Sequence, residues 1–114
     1  MPANVDIERN KKELERMRSG YRMVDAVWRM KEIRNRIRLS IYAYAYEFKN
    51  ESLISDAEFD EMAKAIEPDI MTSNEKLDKF FFEEFDPSTG QWIHKHPELE
   101  KIAKLYDKYY ATQT

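Results

Sequence analysis

From Tyr21 to about Phe48 the apolar residues recur at a strongly helical spacing. A segment of this kind commits a short chain to a helical architecture built around it. Met23, Ala26, Met30, Ile33, Ile37 and Tyr44 fall on two adjacent heptad rows, with Ser40 as the polar interruption. Val27, Ile41 and Phe48 widen that face, and Arg34 interrupts it. So broad an apolar face belongs inside a bundle rather than in a narrow two-stranded coiled coil. The rest of the chain agrees. Only 2 Gly and 4 Pro are available among 114 residues, too few for the turns of a many-stranded sheet.

Flanking elements can be placed from their start and stop signals. A first helix is expected over about Asp6 to Arg18, with Ile7, Leu14 and Met17 as its thin apolar stripe and Ser19-Gly20 as its break. Ser55-Asp56-Ala57-Glu58 has the form of a capping box, and its helix, with Phe59, Met62, Ala63 and Ile66 on one side, stops before Pro68. Thr72-Ser73-Asn74-Glu75 repeats that form and opens a helix with Leu77, Phe80, Phe81 and Phe85 inward. Asp86 to Gly90 reads as a turn, and Gln91 to Lys95 as a short extended stretch. His96 is a candidate cap, with Pro97 at the first position of a last helix that buries Leu99, Ile102, Ala103 and Tyr106. The expected fold is all-α: an antiparallel bundle of four to five helices around one long central helix. Residues 1–20 form a charged arm and residues 21–114 a single helical domain.

Composition excludes several classes. With no Cys there is no disulfide scaffold, thiol nucleophile or cysteine zinc site. The longest apolar run, Ile41 to Tyr46, is far below the roughly 20 residues that span a bilayer. The segment Met1 to Glu8 carries no charged-then-apolar signal pattern, so a cytoplasmic protein without membrane contact is expected. No Gly-rich phosphate loop occurs, and no Ser/His/Asp arrangement can be argued. His94 and His96, spaced i, i+2, would share one side of an extended stretch near Glu98 or Asp86, but further ligands are not fixed, so no metal is expected. Glu83, Glu84 and Asp86 form an acidic cluster at a helix end, where carboxylates ordinarily face water. No catalytic residues and no cofactor are assigned.

Charge is unevenly divided. Residues 1–40 carry a net +5 and residues 41–114 a net −8, and all eight Arg lie in the first part. Arg presents a planar fork suited to phosphate and carboxylate. Arg22, Arg29 and Arg36 recur every seven residues along one flank of the long helix. With Arg34 and Arg38 they are the candidate nucleic-acid contacts, nearby tyrosines serving as stacking platforms for single strands. The complementary halves, together with the thin stripe of the first helix, also point to a homo-oligomer.

The segment Leu39-Ser-Ile-Tyr-Ala-Tyr-Ala-Tyr46, followed by Glu47 to Ser55 and Asp56-Ala-Glu-Phe-Asp60, resembles the small helical domain Ia that opens NAD-dependent bacterial DNA ligases. The resemblance covers about Leu39 to Ile66. It implies a helix pair that holds the nicotinamide mononucleotide half of NAD, with Tyr46, Asp56 and Asp60 at ligand-contacting positions. Glu47 stands where the family has His, and Phe59 where it has a second contacting Tyr. Neither Gly20 nor Gly90 is preceded by the Lys-x-Asp pattern of the ligase nucleophile motif, so lysyl-adenylate formation by that route is excluded.

Three functions follow as expectations. The first is a non-catalytic helical adaptor or inhibitor, of the build found in small phage or mobile-element accessory proteins. It would bind an unidentified protein partner through Tyr44, Tyr46 and Trp92, residue types that serve as binding anchors. The second is a single-stranded nucleic-acid binder using the arginine flank. The third is a nicotinamide mononucleotide or NAD module around Tyr46, Glu47, Asp56, Phe59 and Asp60.

Overall fold

A computed structural model describes residues 3–111, with side chains from residue 11 onward. Its helices are α1 (Ala3–Arg18), α2 (Ala26–Lys49), α3 (Asp56–Ala65), α4 (Glu75–Glu83) and α5 (Leu99–Tyr109), with a short 3-10 helix at Gln91–Lys95. The fold is an all-α bundle in which α2 is the central element, touching α3, the 3-10 helix and α5. Among the described residues no helix is long and apolar enough to cross a membrane. The side chain of Ile7, expected in the stripe of α1, lies outside the described residues.

Local chemistry accounts for the helix ends. Asp25 caps α2 by accepting from the Trp28 amide at 2.8 Å. At the other end Asn50 takes a left-handed conformation, φ 51°, and its amide returns to the Ala45 carbonyl. Asn tolerates that region better than most residues. Ser55 caps α3 through the Glu58 amide at 3.1 Å, and its hydroxyl donates to the Glu58 carboxylate at 3.0 Å. Gly20 closes α1 at φ +101°, a conformation that strains any residue with a side chain, and a Cβ there would also sit a tight 3.2 Å from the Phe82 ring.

Several expectations are corrected. The long helix begins at Ala26, because the preceding residues are extended. The Arg22 amide donates to the Asp69 carbonyl, and the Met71 amide to the Arg22 carbonyl, a single parallel bridge that holds the chain out of helix. Asn74, rather than Thr72, caps α4, since the Thr72 hydroxyl is spent on Asp78 at 2.6 Å. Gln91–Lys95 coils into a 3-10 turn that inserts Trp92 and Ile93 into the core. His96 does not cap α5. Its Nδ1 accepts from the Glu98 amide, and Glu98 holds the N-cap position without a side-chain bond.

The core is centred on the second half of α2. Leu39, Ala43 and Ala45 are fully enclosed, and Phe80, Phe81, Trp92, Ile102 and Tyr106 close over them. The first half of α2 is turned the other way. Met23 just before it, then Ala26, Val27 and Met30, face solvent, Ile33 is half-buried, and Ile37 is at the margin. The side buried in their place carries Glu32 and Arg36. Phe48, at the far end, is also exposed.

Candidate functional site

The buried charges decide which face of α2 remains available. Arg36 donates through Nε to Glu32 and through Nη1 to Asp78 at 3.0 Å. Its Nη2 reaches the carbonyls of Glu67 and Ile70 at 2.9 and 3.2 Å. Its guanidinium also lies over the Phe81 ring, 5.0 Å from the centroid. Asp78 is wholly buried, and accepts from Arg36, from Arg16 of α1, and from the amide and hydroxyl of Thr72. Glu32 takes the Glu67 amide at 3.1 Å. Burial pushes its carboxyl above the usual range, with Arg36 opposing the shift. The network pins α1, α2, the α3–α4 connection and α4 together. A pair this well bonded offsets its desolvation only while all of its partners remain.

That arrangement breaks up the arginine flank. Arg36 is enclosed, and Arg22 is held by Asp69 at 2.9 Å and Glu67 at 3.0 Å. Arg29 is half-buried. Arg34 and Arg38 are exposed and form no ion pair among the described residues. Of the expected anchor residues, Tyr44 and Trp92 are core: Tyr44 packs on Phe48 and Tyr106, and Trp92 among Phe80, Phe81 and Phe85. Only Tyr46 reaches the surface, at 56% exposure.

The ligase-like residues are gathered more closely than the arginines. Tyr46, Asp56, Phe59 and Asp60 line one cleft of about 260 Å³. Tyr42, Leu53 and the turn Pro87–Gly90 complete its wall. The turn is fixed by Asp86, which accepts from the Ser88 amide and hydroxyl at 2.9 and 2.7 Å, bonds that hold its carboxyl below the usual range. Asp60 also pairs with Lys64 at 2.8 Å. Glu47 is not on the lining. It meets His94 Nε2 at 2.9 Å.

The two histidines part company in the 3-10 turn. His94 is exposed and lies against Phe48, whereas His96 is buried edge-on to Phe80 and Phe81. Burial holds His96 down at about 4, with Glu98 pulling the other way. Among the described residues no group of acidic or histidine side chains is arranged to hold a metal. Glu83, Glu84 and Asp86 all face solvent, and Glu84 pairs with Lys95 at 3.3 Å.

A third region takes in Arg34, Arg36 and Arg38 from the expected nucleic-acid set and none of the other site residues picked from the sequence. Two adjoining cavities, of about 290 and about 600 Å³, share Ile33, Ile37 and Leu105 and form one trough between α2 and α5. Met30 and Tyr109 stand at one end, 60% and 65% exposed, and Leu77 and Ile102 at the other. The apolar spacing in α2 was visible, but the trough also needs α5, which a one-helix periodicity cannot supply. Compared with family models, curated proteins and solved structures, the chain gives no match in any of the three.

Proposed function

We propose that this chain is a non-catalytic helical interaction protein, an adaptor or inhibitor, which engages a macromolecular partner through the outward face of the first half of α2. The observation that carries this reading is the exposure of Val27 and Met30, at 81% and 60%, beside the trough. Monomers seldom leave a contiguous apolar patch open to water unless something covers it in use. The charge network supports the reading, because it holds the opposite side of α2 inward. A photo-crosslinking residue at position 27 or 30, introduced in cells, should join the chain to a partner, while one at the exposed position of Glu61 in α3 should not. Equal yield at all three positions, or none at 27 and 30, would refute the reading.

A second reading is a nicotinamide mononucleotide module, and one observation favours it: Tyr46, Asp56, Phe59 and Asp60 converge on one cleft. Ligand at 100 times its dissociation constant would add about 2.7 kcal/mol to stability. A thermal melt unchanged by millimolar nicotinamide mononucleotide would remove it.

A further inference from the structure

Val27, Met30, Arg34 and Ile37 follow one another along α2 at alternating intervals of three and four, the spacing of a seam that receives another helix, and Ile41, next in the row and already buried in the core, closes its end. From Met30 to Ile41 the seam runs about 16 Å, room for about three turns. Leu105 and Tyr109 of α5 form the opposite wall. The trough thus has the shape of a helix-receiving groove.

Charge selects among helices. Arg34 occupies a seam position and Arg38 stands beside it, neither with an ion pair among the described residues. Lys101 lies at the far end, already paired with Glu98, and the Lys108 ammonium sits over the Tyr109 ring, 5.1 Å from its centroid. Covering Arg34 with an uncharged helix would strand a cation in an apolar seam. A second copy docked seam to seam would bring the two Arg34 side chains together, a like-charge contact that disfavours the pairing. The described part of α1 does not suit the groove either: Leu14 and Met17 are flanked by Lys11, Lys12, Arg16 and Arg18 against Glu13 and Glu15.

Resting on the interaction reading above, we infer that the α2–α5 trough receives an amphipathic helix of a different protein, whose flanks are acidic and which sets a carboxylate against Arg34. The test uses three stapled helical peptides of identical apolar face with Glu, Gln or Lys flanks, titrated by fluorescence anisotropy against the full chain. The Glu-flanked peptide should bind at least tenfold more tightly than the others and weaken with salt. Arg34→Glu with Arg38→Glu should transfer the preference to the Lys-flanked peptide, and Val27→Asp with Met30→Asp should abolish binding while circular dichroism is unchanged. Equal binding of the Gln- or Lys-flanked peptide at this face overturns the acidic partner but leaves the interaction reading standing. So does the absence of peptide binding when crosslinks at positions 27 and 30 persist, and absence of both removes both. Self-association that Met30→Asp abolishes, or displacement of the peptide by a single-stranded oligonucleotide, also overturns the inference.

Discussion

The two sides of the first half of α2 invert the usual rule, before Leu39 and Ile41 return apolar residues to the interior. One side buries Glu32, Arg36 and Ser40, and the other presents Val27, Met30 and Ile37 to water. On the buried side every charge is matched by a bond from elsewhere in the chain, and no buried side-chain polar atom among the described residues lacks a partner. On the open side the apolar residues have no such closure. The buried charges orient the first half of this helix as the apolar core orients its second half, and the apolar surface left on the first half is what remains for use outside the fold.

Substitution separates the sides most strongly at Arg36. Arg36→Met should cost about 3–5 kcal/mol in urea denaturation, because Glu32 and Asp78 are left as buried carboxylates short of a partner. The double change Glu32→Leu with Arg36→Met should cost less than Arg36→Met alone, since one stranded charge goes with its partner. A double variant that falls further than the single one would mean that the network is a net stabiliser beyond its geometry.

Acid sharpens the contrast between paired and unpaired burial. His96 has an ordinary value of 6.5 and is held near 4 in the fold, so the unfolded chain takes up its proton first as pH falls. Its share of stability is complete above pH 6.5 and is lost between 6.5 and about 4, amounting to at most about 3.5 kcal/mol at about 1.4 kcal/mol per pH unit. Glu32, raised by burial above its ordinary 4.5, works in the opposite sense: the fold takes up its proton before the unfolded chain does, so acid adds stability there until about pH 4.5 is reached. His96→Gln should therefore flatten the stability profile between pH 6.5 and 4, and an unaltered slope would assign the loss elsewhere.

Smaller effects mark the ends and the surface. Ser55→Ala and Asn74→Ala should each cost about 1 kcal/mol by loss of a cap. Val27→Asp and Met30→Asp should stay within about 0.5 kcal/mol of the parent. A larger loss at either position would show that the open face is part of the core.

How far the sequence speaks can be traced at these same residues. The Ser55 cap and the stop before Pro68 are local signals, and local signals sufficed. The cap of α4 was displaced from Thr72 to Asn74 because the Thr72 hydroxyl is claimed by Asp78, six positions on. For a longer-range reason, periodicity misplaces the face of α2 that is buried. Periodicity ranks faces by apolar content, and it cannot register that Arg36 meets Asp78 and the Glu67 carbonyl from distant parts of the chain. Residue type alone makes Trp92 a surface anchor, because the 3-10 turn that buries it leaves no periodic mark in five residues. The cleft residues Tyr46, Asp56, Phe59 and Asp60 were legible through the ligase-like pattern alone.

The orientation of α2 can be tested directly because the chain has no Cys of its own. Met30→Cys and Ser40→Cys, prepared separately at low concentration, would be labelled under native conditions with a small thiol reagent. The account predicts labelling at position 30 near the rate of an unfolded peptide, and at position 40 slowed by orders of magnitude. Equal protection at the two positions, or faster reaction at position 40, would contradict it.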